Sequence, residues 1–281
     1  MSAVLTTDHP AWTETGDGNG DGDGDGDGDG DGDCVRAVAT GSGLWILSWN
    51  PEGLHMRCVR GTEDVKPVVV ATDPVCLPET VPAALRAGLA ALGPSRRVAN
   101  PSLWDALTTA VLRQVVRAGQ ARKLYRTWCR THGTTLDTAH GPLAVAPSPE
   151  RVLALDEEQF AAVGARFHRT VLQAAATEYQ QHAADWQRMD AARLSTALTT
   201  IPRIGPWTAA AAAADYTGHF SSYPHDDLAV RTWAAQIAPD HTWPGKKDRS
   251  FGPAWTAMAD GDLTALHTLT LSTLTWGSHA R

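Results

Sequence analysis

Residues Leu198 to Tyr216 read L-T-T-I-P-R-I-G-P-W-T-A-A-A-A-A-A-D-Y, and no other stretch of the 281-residue chain limits its fold as tightly. Ala209 to Ala214 is close to the best helix-forming run that amino acids allow, and Pro206 suits the first position of that helix. The Pro202-Arg203-Ile204-Gly205-Pro206 turn is therefore the start of a helix. Upstream, Asp190 opens another helix, with Leu194, Ala197 and Leu198 on one face, which ends at Ile201-Pro202. Asp190 to Tyr216 thus predicts helix, tight hairpin, helix. Such a hairpin leaves several backbone N–H groups unpaired at the N-terminus of its second helix, where the helix dipole is also positive. A phosphate fits there.

Helical punctuation continues on both sides. Ser148 with Pro149 behind it, and Asp156 followed by Glu157 and Glu158, read as helix starts. From Glu79 to the end the pattern is helical, broken at Gly93-Pro94, Asn100-Pro101, Gly133, Gly141-Pro142, Pro147 to Pro149, Gly164, Pro224, Pro239 and Pro244-Gly245. Before Glu79 the texture differs. Leu44 to Trp49, Leu54 to Val59 and Val65 to Ala71 are short β-branched or aromatic segments divided by Asn50-Pro-Glu-Gly53 and Gly61-Thr62, which predicts a small antiparallel sheet. The expected fold class is α+β, mostly α. Residues 34–94 form a β-rich part and 95–281 a helical part.

Residues 1–33 stand apart. Gly16 to Asp33 is an almost pure Gly-Asp repeat with eight aspartates and no basic residue. A calcium loop of the EF-hand type needs Glu at its twelfth position, and counting from Asp21 or Asp23 reaches Gly32 or Cys34 instead. Like-charge repulsion and glycine entropy both oppose folding, so residues 1–33 are expected to be a disordered acidic tail. The repeat also hides the charge of everything else. The formal net charge is -7, but without residues 1–33 the chain keeps 21 acidic against 24 basic side chains. Twenty of the 24 are arginine, whose planar fork matches phosphate.

Other classes drop out. No apolar run approaches the ~20 residues of a membrane span, and the first residues lack a secretory pattern, which points to the cytoplasm and no membrane partner. Cys34, Cys58, Cys76 and Cys129 are too widely spaced for a metal cluster and too few for a disulfide scaffold. There is no G-x-S-x-G elbow and no phosphate-binding G-x-x-x-x-G-K-S/T loop.

Leu198-x-x-Ile201-Pro202-x-Ile204-Gly205-Pro206-Trp207-Thr208-Ala209, followed by Tyr223-Pro-His-Asp-Asp-Leu-Ala-Val-Arg231, resembles the helix-hairpin-helix DNA glycosylases with a Gly/Pro-rich loop and downstream aspartate. Within that superfamily it is most similar to the bacterial 3-methyladenine DNA glycosylase II branch. Leu103 to Val116 is similar to the helix pair that approaches DNA there, and Ala146 to Gly164 to its connecting helices. The resemblance spans about Asn100 to Gly277 and implies an N-terminal antiparallel sheet packed on the helical part. It also implies a partner, duplex DNA carrying a damaged, alkylated base, met by a monomer at the bacterial nucleoid.

The implied chemistry is base excision from a flipped nucleotide. Breaking a base from its sugar builds positive charge on C1′, which a carboxylate stabilises while it orients or deprotonates an attacking water. By register that carboxylate is Asp227, with Asp226 as the cap of the helix running to Gln236 and Arg231 one turn on to hold it. Trp207, Tyr223, Trp104 and Trp276 are the candidate aromatic walls, which return the cost of unstacking. Gln114-Val115 corresponds to the segment that fills the gap in the duplex. Arg117, Arg203, Ile204, Gly205 and Thr208 join the DNA-binding set. Bifunctional relatives carry lysine where this chain has Trp207, so the implied enzyme uses water and leaves the strand intact. A four-cysteine cluster is missing after Trp233, so no cofactor is expected beyond a structural monovalent cation at the hairpin. His225 beside the aspartates does not make a metal site, because three consecutive side chains point different ways.

One departure concerns the hairpin itself. Family hairpins read Pro-Gly-x-Gly, whereas this one places Arg203 at the first glycine, at a cost of order 1 kcal/mol if the backbone there is left-handed. The added guanidinium is a charged donor where phosphate would lie. Two further readings stand beside the enzyme: a lesion-recognition protein of the same fold without catalysis, and an N-glycosidase of nucleosides or metabolites.

Overall fold

The computed structural model describes residues 3–15, 33–245 and 248–279. The early part is strand-rich: β1 (Val4–Leu5), β2 (Thr13–Glu14), β3 (Cys34–Ala39), β4 (Gly43–Asn50), β5 (Gly53–Gly61) and β6 (Val69–Thr72). Next come α1 (Ala83–Leu92), β7 (Ser95–Val98), α2 (Leu103–Leu112), α3 (Ala118–His132) and a hairpin of β8 (Thr134–Thr138) and β9 (Gly141–Val145). The chain then runs through α4 (Pro149–Leu153), α5 (Glu157–Ala162), α6 (Arg169–Trp186), α7 (Ala191–Leu198), α8 (Pro206–Thr217), α9 (Leu228–Ile237), α10 (Phe251–Ala257) and α11 (Leu263–His279). The fold is mixed α+β.

Two of the sheets meet the N-terminal segment. One is antiparallel in the order β2-β3-β4-β5, and the other runs β1-β7-β6 with β1 parallel to β7. β3 is buried on both faces, and its side chains alternate as a strand must. Cys34 and Val38 join Leu5, Trp12, Trp45 and Leu47, while Val35 and Ala37 pack on Leu143 of β9.

Three sequence expectations change here. Residues 3–15 are not part of a tail: Leu5 and Trp12 lie in the core, and the Thr15 amide donates to the Asp33 carbonyl at 2.8 Å. The apolar Leu5 and Trp12 fold once β3, β7 and α3 supply their partners. The Gly-Asp repeat is therefore an insertion between β2 and β3, and its expected disorder concerns residues 16–32, which lie outside the described ones. The stretch after residue 94 is also not purely helical. β7 pairs with β6 at Val70↔Arg97, and β8 pairs with β9 at Leu136↔Leu143. Threonines at 134, 135 and 138 and a positive φ of 90° at Gly141 favour the second hairpin, whose breaks read equally well as gaps between helices. Finally, the third predicted strand is limited to Val69–Thr72.

Helix starts follow local chemistry closely. Ser148, Asp156 and Asp190 each accept a backbone amide three residues on, at the heads of α4, α5 and α7. α8 sits in the core with Ala209 and Ala211 to Ala214 buried, and it packs against α2 and α7. α11 is buried along most of its length despite its threonines. Thr273 and Thr275 donate to the carbonyls of Leu269 and Leu271 at 2.8 Å, which satisfies their hydroxyls inside the helix.

Candidate functional site

α8 begins at Gly205, which makes no side-chain cap, and Pro206 has no N–H. Among the described residues the amides of Gly205, Trp207 and Thr208 donate to no protein acceptor. The ring of Pro206 and the buried Ile204 fix the corner, so these donors are held in place. A Cβ added at Gly205 would meet nothing within 4 Å, and its φ of -85° needs no glycine. Nothing inside the fold asks for glycine there; the space outside it is free for the close approach of another chain. Arg203 has φ +68°, the left-handed conformation that the missing glycine would adopt easily. Its side chain is exposed.

The loop after α2 is tied to this corner. Gln114 donates through Nε2 to Thr208 Oγ1 at 2.9 Å and to the Arg203 carbonyl at 3.4 Å. The carbonyl of Gln114 lies 3.5 Å from Nε2 of the buried His168. Clamped on both sides, the loop holds Val115 at φ +63° and 88% exposed. A β-branched residue in that conformation is strained, and strain of this kind persists only where the surroundings enforce it. Beside it Phe167, on a single 3-10 turn, is 67% exposed. Gln114, Val115, Phe167, Val171, Arg203, Trp207 and Thr208 line a cleft of about 400 Å³. Phe167 is a residue that sequence reading missed, since a lone Phe before a helix carries no signal of exposure. Arg117, also exposed, stands at the head of α3 two residues past Val115.

Asp227 occupies the N-cap position of α9 without using its side chain as a cap. Its amide donates to the Pro224 carbonyl at 2.9 Å, and its Oδ2 accepts from the Tyr223 hydroxyl at 2.5 Å. Tyr223 is buried and stacked on Phe220 at 5.5 Å between centroids. Burial, and then the charge of Asp227, push the Tyr223 phenol well up, so it stays a donor. The carboxylate itself is half-buried.

Asp226 differs from its expected role. It accepts the Gly252 amide at 2.8 Å, so it serves the head of α10 rather than α9. Arg231 does not hold Asp227 but pairs with Asp226 at 2.7 Å. The turn at Pro224 to Asp227 explains both: with Asp227 itself at the N-cap, Asp226 faces the segment before α10. Trp104 also leaves the site. It is buried and donates to the Pro147 carbonyl at 2.7 Å. Trp276 packs 6.4 Å from Trp233 on α9, and neither lines the cleft.

Arg113, the C-cap residue of α2, lies beside Trp207. Its guanidinium carbon lies 5.7 Å above the Trp207 ring centre. Burial lowers the Arg113 pKa, but Tyr223, Asp8, Asp227 and Asp215 outweigh it and raise the value, so all four lie within the reach of its charge. A further carboxylate cluster was not foreseen at all. Arg97 binds both oxygens of Asp8 and, at 2.5 Å, Asp215; Asn100 bridges Asp215 and Asp105; Tyr125 donates to Asp105 at 2.6 Å. Its members run from Asp8 to Asp215, with Arg97 and Asp215 separated by 118 positions, so no local motif announces it. Among the described residues no group of three or more His, Cys, Asp or Glu side chains is placed to hold a metal ion.

The sequence matches no protein-family profile and no curated protein. Solved structures do match in fold. The 3-methyladenine DNA-glycosylase from Archaeoglobus fulgidus aligns with a TM-score of 0.66 at 14% identity over 87% of this chain and 86% of that one. MBOgg1 in complex with a low-affinity DNA ligand aligns at 0.65 and 14%, over 89% and 86%. The 8-oxoguanine glycosylase/lyase of Clostridium acetobutylicum, in complex with duplex DNA, aligns at 0.58 and 12%, over 87% and 84%. At such identities the likeness establishes the fold.

Proposed function

We propose that this protein is a DNA glycosylase without strand-cleaving activity, hydrolysing the bond between a damaged base and its sugar in duplex DNA. The observation that carries this reading is Asp227: a half-buried carboxylate that, among the described residues, has no cation bonded to it, positioned by one phenol at a helix head. Shared fold with enzymes whose names say that they act on DNA bases supports it. So does the corner at the head of α8, where free amides, a glycine that the fold does not require and an enforced, exposed Val115 face outward together.

In this reading the amides at the head of α8 and the Arg203 side chain bind a backbone phosphate, and Arg117 adds a second cation. Val115, with Phe167 beside it, enters the space left by the flipped nucleotide. The base lies against Trp207. Asp227 stabilises the positive charge growing at C1′ and takes a proton from the attacking water, while the Tyr223 hydroxyl fixes which oxygen faces the sugar. No amine stands at Trp207, so water is the nucleophile and an abasic site the product. Alkylated bases are the substrate class that the sequence resemblance implies.

Wild type and Asp227→Asn, incubated with lesion-bearing duplexes and then treated with hot alkali, test the reading. Alkali-dependent strand breaks with wild type alone are expected. Breaks without alkali would refute the water mechanism, and tight binding with no breaks from either protein would favour lesion recognition without catalysis. Release from nucleosides but not from duplex would refute DNA as the substrate.

A further inference from the structure

Arg113 is the charged side chain that the mechanism above does not use. Arg36, Arg97, Arg126 and Arg231 spend their guanidinium groups on carboxylates or backbone carbonyls. Arg113, among the described residues, makes no hydrogen bond or ion pair. It lies over Trp207 alone, half-buried, with its donors not sealed in the interior. It is also the first residue past α2, whose C-cap amide bonds fix its backbone, and the adjoining loop is clamped by Gln114 and His168. A fixed cation with unspent donors thus covers an aromatic wall, with the charges of Asp8, Asp227 and Asp215 within its reach.

Two consequences follow for any base brought onto Trp207. A permanently cationic base, such as a purine methylated at a ring nitrogen, meets a like charge across the space in which it should stack, and the ring face that would attract it is already occupied. A neutral base bearing a carbonyl finds the reverse: the fork of N–H groups can donate to its oxygen or to that oxygen and a neighbouring ring nitrogen. The bond chemistry points the same way. When C1′–N breaks, the electron pair goes to the base nitrogen. A cationic base leaves as a neutral molecule and needs no help, whereas a neutral base leaves as an anion, later protonated by solvent as the attacking water gives its proton to Asp227. A cation beside the departing base stabilises that anion.

We infer that Arg113 is a specificity-determining residue that selects a neutral, carbonyl-bearing damaged base, deaminated or oxidised, over a cationic alkylated one. This rests on the glycosylase reading and replaces the alkylated class that the resemblance implies.

The test is single-turnover base release from duplexes containing one hypoxanthine, 8-oxoguanine, uracil or 7-methylguanine, by wild type, Arg113→Ala and Arg113→Lys, with binding to a duplex carrying a 2′-fluoro hypoxanthine nucleotide that resists cleavage. Wild type should release at least one carbonyl base about tenfold faster than 7-methylguanine, and Arg113→Ala should slow that release about tenfold or more while leaving 7-methylguanine equal or faster. Arg113→Lys should fall between, since it keeps the charge and loses the fork. Circular dichroism and an unchanged Tm establish that the alanine variant folds. Preferred release of 7-methylguanine by wild type, or equal rates and equal 2′-fluoro duplex affinity for wild type and Arg113→Ala, overturns the inference and leaves the glycosylase standing. No release of any base from any duplex by wild type overturns both.

Discussion

Two groups of carboxylates in this molecule are handled in opposite ways. Asp8, Asp105 and Asp215 sit around Arg97, Arg36, His9, Asn100 and Tyr125, with nearly every oxygen engaged. Burial alone would push the Asp215 carboxyl up, yet Arg97 and its neighbours hold it well below the usual range. Asp227, by contrast, has a single side-chain partner, a neutral hydroxyl. Saturation marks an interior brace, which joins the N-terminal segment at Asp8 and His9 to β7, α2 and α8. A half-buried carboxylate with one neutral partner among the described residues is available to something that is not protein. Arginine divides along the same line, with Arg97 spent in the brace and Arg113 free over Trp207.

Exchanging one oxygen for nitrogen at each kind of site breaks the comparison most directly. Asp227→Asn should reduce base release by about 10²–10⁴-fold with little change in Tm, as loss of a proton-accepting group does. Asp215→Asn should do the opposite. Leaving the buried Arg97 with one charge partner fewer costs about 3–5 kcal/mol, a fall in Tm on the order of 10 °C, read by calorimetry. Equal thermal effects of the two substitutions would erase the distinction between brace and site.

A milder probe uses pH. His267, whose Nδ1 accepts the Phe220 amide at 2.9 Å, has its pKa drawn down from 6.5 to about 4 by burial, then by His219 and Arg97. A folded-state value below the unfolded one means that the contribution is complete above about pH 6.5 and lost as pH falls toward 4. His267→Asn, which keeps an acceptor that does not titrate, should flatten the Tm profile across that interval; an unchanged slope would place the pH dependence elsewhere.

The smallest effect is expected at the hairpin. Arg203→Gly relieves a left-handed arginine and should raise stability by up to about 1 kcal/mol. It should also weaken DNA binding and lower the salt dependence of affinity by about one phosphate contact. Gain of stability with no change in the salt slope would deny Arg203 its phosphate. The opposed signs are the useful part, because a purely structural role moves only the first.

Much of this architecture was legible in the chain. The hairpin from Asp190 to Tyr216, the caps at Ser148 and Asp156, the strands around Trp45 and Met56, and the position of Asp227 at a helix head all rest on forces between near neighbours: propensity, capping and turn geometry. Those forces are written in consecutive residues. What consecutive residues leave open is which surfaces meet. Trp104 and Trp276 are as aromatic as Trp207, and only packing buried the first against Pro147 and set the second on Trp233. Asp226 and Asp227 are adjacent and chemically identical, and the arrival of α10 took one and left the other to Tyr223.

The sequence therefore determined the helical hairpin and the capped helix starts, though not β7 or the β8–β9 hairpin, because backbone dihedrals and hydrogen bonds within a turn answer to residues three or four apart. Tertiary structure decided which charges are neutralised, that Arg113 lies over Trp207 with no ion pair among the described residues, and where residues 3–15 go, because desolvation and ion pairing depend on groups that meet only when distant segments close upon each other.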